Sequence, residues 1–145
     1  MKAVVQRVNY ATLHCEGELI SEIKRGYVVY FGVACGDKLE SVYYLAKKIA
    51  NLRIFPDENG KSNLSIKDIS GEILAVSQFT LLADTSHGNR PSFINAEKPD
   101  RANELYERFV DLLLLEGVPT KKGVFGGDMK ILQENDGPFT IVYEI

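Results

Sequence analysis

The sequence predicts an α+β fold: mostly antiparallel or mixed β-sheets packed with two main helices, in a layered β-β-α sandwich. Two observations carry this. Short apolar runs bounded by Gly, Asn, Asp and Pro recur along the whole chain, and only two segments place apolar residues at helical spacing. Many strands with two amphipathic helices give an α+β domain. No internal repeat, low-complexity tract or linker interrupts the 145 residues, so residues 1–145 read as one domain.

The elements follow in order. Val4–Val8, Ala11–Cys15 and Glu18–Ile23 read as short strands, the last two joined by the turn-like Glu16-Gly17. Tyr27–Val33 is a mostly apolar run with glycine near both margins, which suits a buried strand. Asp37 is placed to cap a first helix, with Glu40 three residues on as in a capping box. Leu39, Val42, Tyr43, Ala46, Ile49 and Ala50 then form its apolar face. Leu52–Phe55 returns as a strand before the turn Asp57-Glu58-Asn59-Gly60. Glu72–Leu82 is a nearly continuous apolar strand, interrupted by Ser77, Gln78 and Thr80. A long loop, Ala83–Lys98, leads to a second helix starting near Pro99-Asp100 and ending at Gly117. Its buried stripe is Ala102, Leu105, Tyr106, Phe109, Leu112 and Leu113. Val118–Val124, Lys130–Gln133 and Phe139–Glu144 complete the strands, and Asp136-Gly137-Pro138 breaks the final pair.

Composition narrows the function. The chain is 45% hydrophobic and 26% charged, ordinary for a soluble globular protein. No run approaches the roughly 18 apolar residues of a membrane span, and the start turns polar too early for an export signal. The expected address is therefore the cytoplasm, with no membrane partner. A net charge of −3 argues against gripping long duplexes, yet it permits capture of a nucleotide end by a small patch such as Lys121-Lys122 or Arg90. Two cysteines and two histidines do not provide a four-ligand zinc set at close spacing, so no metal and no cofactor is expected.

Three segments could carry chemistry. Ser77-Gln78-Phe79-Thr80 ends a strand buried on both faces, where polar side chains are costly unless paired. Either the polar pair ties down neighbouring backbone, the default on the residues alone, or the strand ends at a pocket where Gln78 and backbone N–H groups face a substrate carbonyl. Thr80 would be a nucleophile only with a base close by, and no Gly-x-Ser-x-Gly elbow or catalytic cysteine setting is present. Gly88-Asn89-Arg90-Pro91-Ser92-Phe93 lies in the long loop, and Asn135-Asp136-Gly137-Pro138-Phe139-Thr140 reads first as a turn.

Taken together with Met1-Lys2-Ala3-Val4-Val5-Gln6-Arg7-Val8 and Phe125-Gly126-Gly127-Asp128-Met129, these segments stand in an order that resembles the D-aminoacyl-tRNA deacylase family from end to end. The resemblance implies a hydrolase that frees D-amino acids, and glycine, from tRNA. It implies a homodimer whose interface is built from sheet and loops, with a site at that interface. Ser77, Gln78, Phe79 and Thr80 would then form the catalytic segment, and Phe125, Met129 and Asn135 would support binding. Gly137-Pro138, implied to be cis and held by Arg7, would enter the other copy's site and exclude L-amino acids. The 2′-hydroxyl of the terminal adenosine would help to activate water. Three features depart from the common family form: Gly127 stands where Ala is usual, Phe139 replaces a common Val, and Lys121-Lys122-Gly123 differs from a Thr-Gly context. Two rival readings remain: a nucleic-acid-end binding module without turnover, and an ordinary esterase using Thr80 or a cysteine.

Overall fold

The structure is a computed structural model describing residues Met1–Ile145. Its frame is one six-stranded sheet with two helices against one face, as the strand and helix patterns predict. Strand β1 (Lys2–Cys15) lies between the long C-terminal strand on one edge and two consecutive strands, β2 (Glu18–Ile23) and β3 (Gly26–Gly32), on the other. Ala11 faces Ile23 and Val8 faces Gly26 in one continuing register, so β2 and β3 together run antiparallel along β1. Strands β3, β6 (Glu72–Ser77) and β7 (Thr120–Lys122) are parallel. A separate hairpin pairs β4 (Arg53–Pro56) with β5 (Ser62–Ser65).

Burial explains the runs. In β3, Tyr27, Val29 and Phe31 enter the large core beneath the helices, while Val28 enters a smaller cluster on the opposite face. In β6, Ile73 and Ala75 point one way and Leu74 and Val76 the other. Strands covered on both faces need apolar residues at every position, which is why these two read as continuous runs. The large core is closed by Val42, Leu45, Ala46, Ile49 and Ala50 of α1 (Leu39–Ala50) and by Leu105, Tyr106, Phe109, Val110, Leu112 and Leu113 of α2 (Pro99–Leu115).

Several expectations need correction. Val4–Val8 and Ala11–Cys15 are one strand, because the β-ladder to β8 (Met129–Glu144) runs along both. β8 likewise continues through the Asp-Gly-Pro segment. Gln6 faces Thr140 and Val8 faces Asn135, so Asp136–Phe139 stands opposite Arg7 alone and bulges out of the ladder. A second register shift, between Val8 and Tyr10, adds one residue to β1 and turns it over: Ala3 and Val5 face the large core, whereas Ala11 and Leu13 face the small one. The predicted strand Glu72–Leu82 stops at Ser77, and Phe79–Leu82 forms a 3-10 turn. Val118–Val124 shrinks to β7, and β5 was not anticipated. Asp37 does not cap α1, whose N-cap is Lys38. Its carboxylate instead accepts hydrogen bonds from the Met1 amino group at 3.0 Å and the Ala34 N–H at 2.7 Å. Tyr43 leaves the buried face of α1 to accept a hydrogen bond from Arg108, and Leu45 takes the core position.

Candidate active site

The three parallel strands β3, β6 and β7 end on the same side, and ligands in such sheets bind outside the carboxyl ends of the strands. A cavity of about 680 Å³ opens there. Its depth is apolar: Phe31 and Val33 from the end of β3, Val76 from β6, Tyr106 from α2 and Phe125 from the segment after β7. Aromatic packing fixes this floor. Phe31 stacks on Phe109 with ring centroids 4.4 Å apart, and Tyr106 lies 6.1 Å from Phe125. The Tyr106 hydroxyl donates to the Ala75 carbonyl at 2.9 Å, and burial pushes its phenol well above the usual tyrosine range.

The polar rim begins where β6 leaves the sheet. The Gln78 N–H donates to the Phe31 carbonyl at 2.8 Å, the last bond tying this segment to β3. The chain then turns into the 3-10 segment, and the first N–H groups of such a turn, those of Phe79 and Thr80, have no intrahelical acceptor. This close approach requires Gly32, since a Cβ there would come within 2.8 Å of the Gln78 carbonyl oxygen and 2.7 Å of Leu82. Phe79 is 56% exposed and packs edge-on against Phe93 of the long loop, at 5.0 Å. Glu97 and Lys98 complete the rim beside Asp128. The N–H groups of Lys98 and Gly36 hold the Glu97 carboxyl below the usual range.

Ser77, Gln78, Phe79, Phe125 and Met129 thus come together around one cavity. Thr80 sits just outside, its hydroxyl accepting a hydrogen bond from the Gln78 amide at 2.6 Å. No histidine, lysine or carboxylate bonds to that hydroxyl, so no base is in place to activate it. Sequence reasoning missed Phe31, Glu97, Lys98 and Tyr106. Tyr106 reads as an ordinary core position of an amphipathic stripe, and only the parallel strand order shows that this end of α2 faces a cavity.

Arg7, Asn135, Gly137 and Pro138 form a second group that does not line this cavity. Arg7 is 9% exposed and lies beneath the bulge. Its Nε is 3.2 Å from the Asp136 carbonyl oxygen and 3.1 Å from Oδ2 of the same residue, and Nη1 donates to the Ile54 carbonyl. Its guanidinium covers the Phe139 ring at 4.9 Å, and a Cβ at Gly137 would lie 3.3 Å from Nη2. The Gly137-Pro138 peptide is cis, Gly137 has φ of 127°, and both residues are exposed. Asn135 accepts from the Gln133 amide at 2.6 Å, and that amide also donates to Gln6 at 2.8 Å.

Comparison with known proteins identifies the family and the fold. The family model described as D-Tyr-tRNA(Tyr) deacylase matches residues 4–144. A D-aminoacyl-tRNA deacylase from Lactobacillus delbrueckii subsp. bulgaricus is 51% identical over 145 residues, covering 100% of both chains. One from Persephonella marina is 51% identical over 144 residues, covering 99% of this chain and 97% of its own. Among solved structures, a protein titled c-Myc DNA Unwinding Element Binding Protein superposes with a TM-score of 0.93 at 41% identity, covering 100% of this chain and 99% of that one. A probable eukaryotic D-amino acid tRNA deacylase has the same fold, with a TM-score of 0.85 at 19% identity over 99% of this chain and 98% of that one. With a family model matched from Val4 to Glu144 and curated relatives at half identity over the whole chain, the chain belongs to the D-Tyr-tRNA(Tyr) deacylase family of ester hydrolases.

Proposed function

We propose that the cavity beyond Ser77–Phe79 is the deacylation site, that it receives the aminoacyl end of D-aminoacyl-tRNA, and that the enzyme works as a cytoplasmic homodimer. The observation that carries this is the division of the expected site residues into two groups. Ser77, Gln78 and Phe79 line an apolar-floored cavity, whereas Gly137-Pro138 is exposed and away from it. A bulge braced from beneath by Arg7 suits insertion into the cavity of a second copy. There its carbonyls would crowd the position that an L side chain must occupy. A D-amino acid escapes this clash, and glycine, which has no side chain, is not rejected. Selectivity then rests on repulsion rather than attraction.

The chemistry needs little from protein side chains. An aminoacyl ester is already reactive, each tenfold of rate requires about 1.4 kcal/mol, and a single well-placed oxyanion donor supplies roughly 2.7–4 kcal/mol. The backbone N–H groups of Phe79 and Thr80 are the donors offered, and the terminal 2′-hydroxyl of the substrate assists the attacking water. Single-turnover release of D-tyrosine from tRNA ending in 2′-deoxyadenosine tests this. A loss of at least about a hundredfold against the normal substrate is expected. Equal rates would return activation to a protein group and favour the esterase reading.

The name of one solved relative raises a second reading, nucleic-acid binding without turnover. Tight binding of D-tyrosyl-tRNA with no release of tyrosine would favour it.

A further inference from the structure

We propose that Gln133, hydrogen-bonded to Tyr30, Gln6 and Asn135, is a positioning residue that clasps the two feet of the Gly137-Pro138 bulge and thereby sets how strictly L-aminoacyl-tRNA is rejected. This rests on the reading of that bulge as the chiral filter.

The bulge has no ladder of its own. Asp136–Phe139 stands opposite Arg7 alone, and pairing with β1 is made only at its feet, Asn135 opposite Val8 and Thr140 opposite Gln6. Its direction is therefore set by what holds those feet and by what lies against its two faces. Arg7 serves one face. Gln6 precedes Arg7 in the strand, so its side chain points to the opposite face. There the Gln6 amide donates to the Thr140 hydroxyl oxygen at 3.4 Å, and the Gln6 side-chain oxygen accepts from the Gln133 amide at 2.8 Å. The same Gln133 amide donates to the Asn135 side-chain oxygen at 2.6 Å. One residue thus ties both feet together, the first directly and the second through Gln6.

Gln133 is itself anchored. Its side-chain oxygen accepts from the Tyr30 hydroxyl at 3.1 Å, so its amide nitrogen and its oxygen are both engaged. Tyr30 stands on β3, opposite Val4 of β1 and Val76 of β6, and packs against the small core. Burial pushes its phenol above the usual tyrosine range, which keeps the hydroxyl a donor. Gln133 faces Ala11, beyond the register shift that turns β1 over, whereas Gln6 lies before it. The bonds from Gln133 to Gln6 and Tyr30 therefore cross between the two halves of the turned-over sheet, at the bend from which the bulge projects.

Neither Gln133, Gln6 nor Tyr30 lines the cavity, so their replacement leaves the Ser77–Phe79 rim and the apolar floor in place. What changes is the freedom of the bulge to tilt. A filter that works by repulsion loses strictness when its repelling groups can move away, and a substrate that never meets them is unaffected.

The test measures steady-state release from L-tyrosyl-tRNA and D-tyrosyl-tRNA by the wild type, Gln133→Met, Tyr30→Phe and the double variant, with thermal unfolding of each. Gln133→Met keeps the length of the side chain but none of its hydrogen bonds. It is expected to raise kcat/KM for L-tyrosyl-tRNA about tenfold, with the D value within about twofold of the wild type. Tyr30→Phe deletes a single hydroxyl and is expected to raise the L value about threefold, with the double variant no more permissive than Gln133→Met alone. An unchanged L-to-D ratio in Gln133→Met, or additive effects of the two substitutions, would overturn the clasp alone. So would L and D release falling together with the unfolding temperature. Equal release of both forms by the wild type would overturn the reading of the bulge, and the clasp with it.

Discussion

At the residue scale the decisive contrast is between Thr80 and Arg7. Thr80 carries the hydroxyl that the sequence raises as a nucleophile, and it is engaged by the Gln78 amide with no base in reach. Thr80→Val is therefore expected to keep D-tyrosine release within about tenfold of the wild type. Loss of all turnover with the fold intact would contradict that and restore a nucleophilic role. Arg7 has a fork of partners that a single ammonium cannot reproduce: the carbonyl and one carboxylate oxygen of Asp136, the Ile54 carbonyl and the Phe139 ring. Arg7→Lys is expected to lower unfolding stability by about 1–3 kcal/mol and to raise release from L-tyrosyl-tRNA relative to D. Chemical denaturation and the two release rates check the two halves separately. The sequence marked Arg7 only through family resemblance, because its partners lie some 47 and 129 positions away.

At the element scale, the site depends on how closely β3 approaches the turn after β6. Gly32→Ala would force a Cβ against the Gln78 carbonyl, which is backbone and cannot swing aside. We expect a stability loss of about 1–3 kcal/mol and slower release, since the N–H groups of the same turn must shift. Denaturation midpoints together with kcat test this, and an unchanged kcat would separate the turn from the chemistry. Tyr106→Phe removes the buried donor to the Ala75 carbonyl and is expected to cost about 1–3 kcal/mol. The two helices and the doubly buried strands were legible because burial is written in periodicity. What was not legible has a physical reason in each case. The 3-10 turn at Phe79–Leu82 is apolar like the strand before it, so hydropathy alone could not show where β6 stops. The bulge at Asp136–Phe139 reads as a chain break, because Asp, Gly and Pro favour turns whether or not the ladder resumes beyond them. Asp37 looked like a helix cap, but the competing Met1 ammonium and Ala34 N–H are tertiary partners invisible to local pattern.

For the whole molecule, pH should act from two sides. Asp57, Asp68, Asp84 and Glu97 have carboxyls held below their usual range, chiefly by hydrogen bonds from nearby backbone or serine groups. Their contribution is present above the unfolded carboxylate range near pH 4 and is lost as pH falls through the folded values. Tyr27 and Tyr106 are pushed upward by burial, so the unfolded chain ionises first. Stability should therefore be full below about pH 10 and fall as pH rises beyond it. Urea midpoints measured from pH 3 to 11 should form a plateau with a fall at each end, and a steady rise above pH 10 would contradict the tyrosine assignment.

The site spans scales in the same way. One chain supplies the cavity and, on a separate surface, the exposed Gly137-Pro138 bulge, which under the proposed function enters the cavity of a second copy. The most direct measurement is release of D-tyrosine from D-tyrosyl-tRNA by the wild-type protein, with L-tyrosyl-tRNA as control. Fast release of the D form alone is the result expected from a cavity guarded by rejection. Equal release of both forms would contradict the chiral role of Gly137-Pro138 while leaving a hydrolase, and release of neither by folded protein would contradict the deacylation site itself.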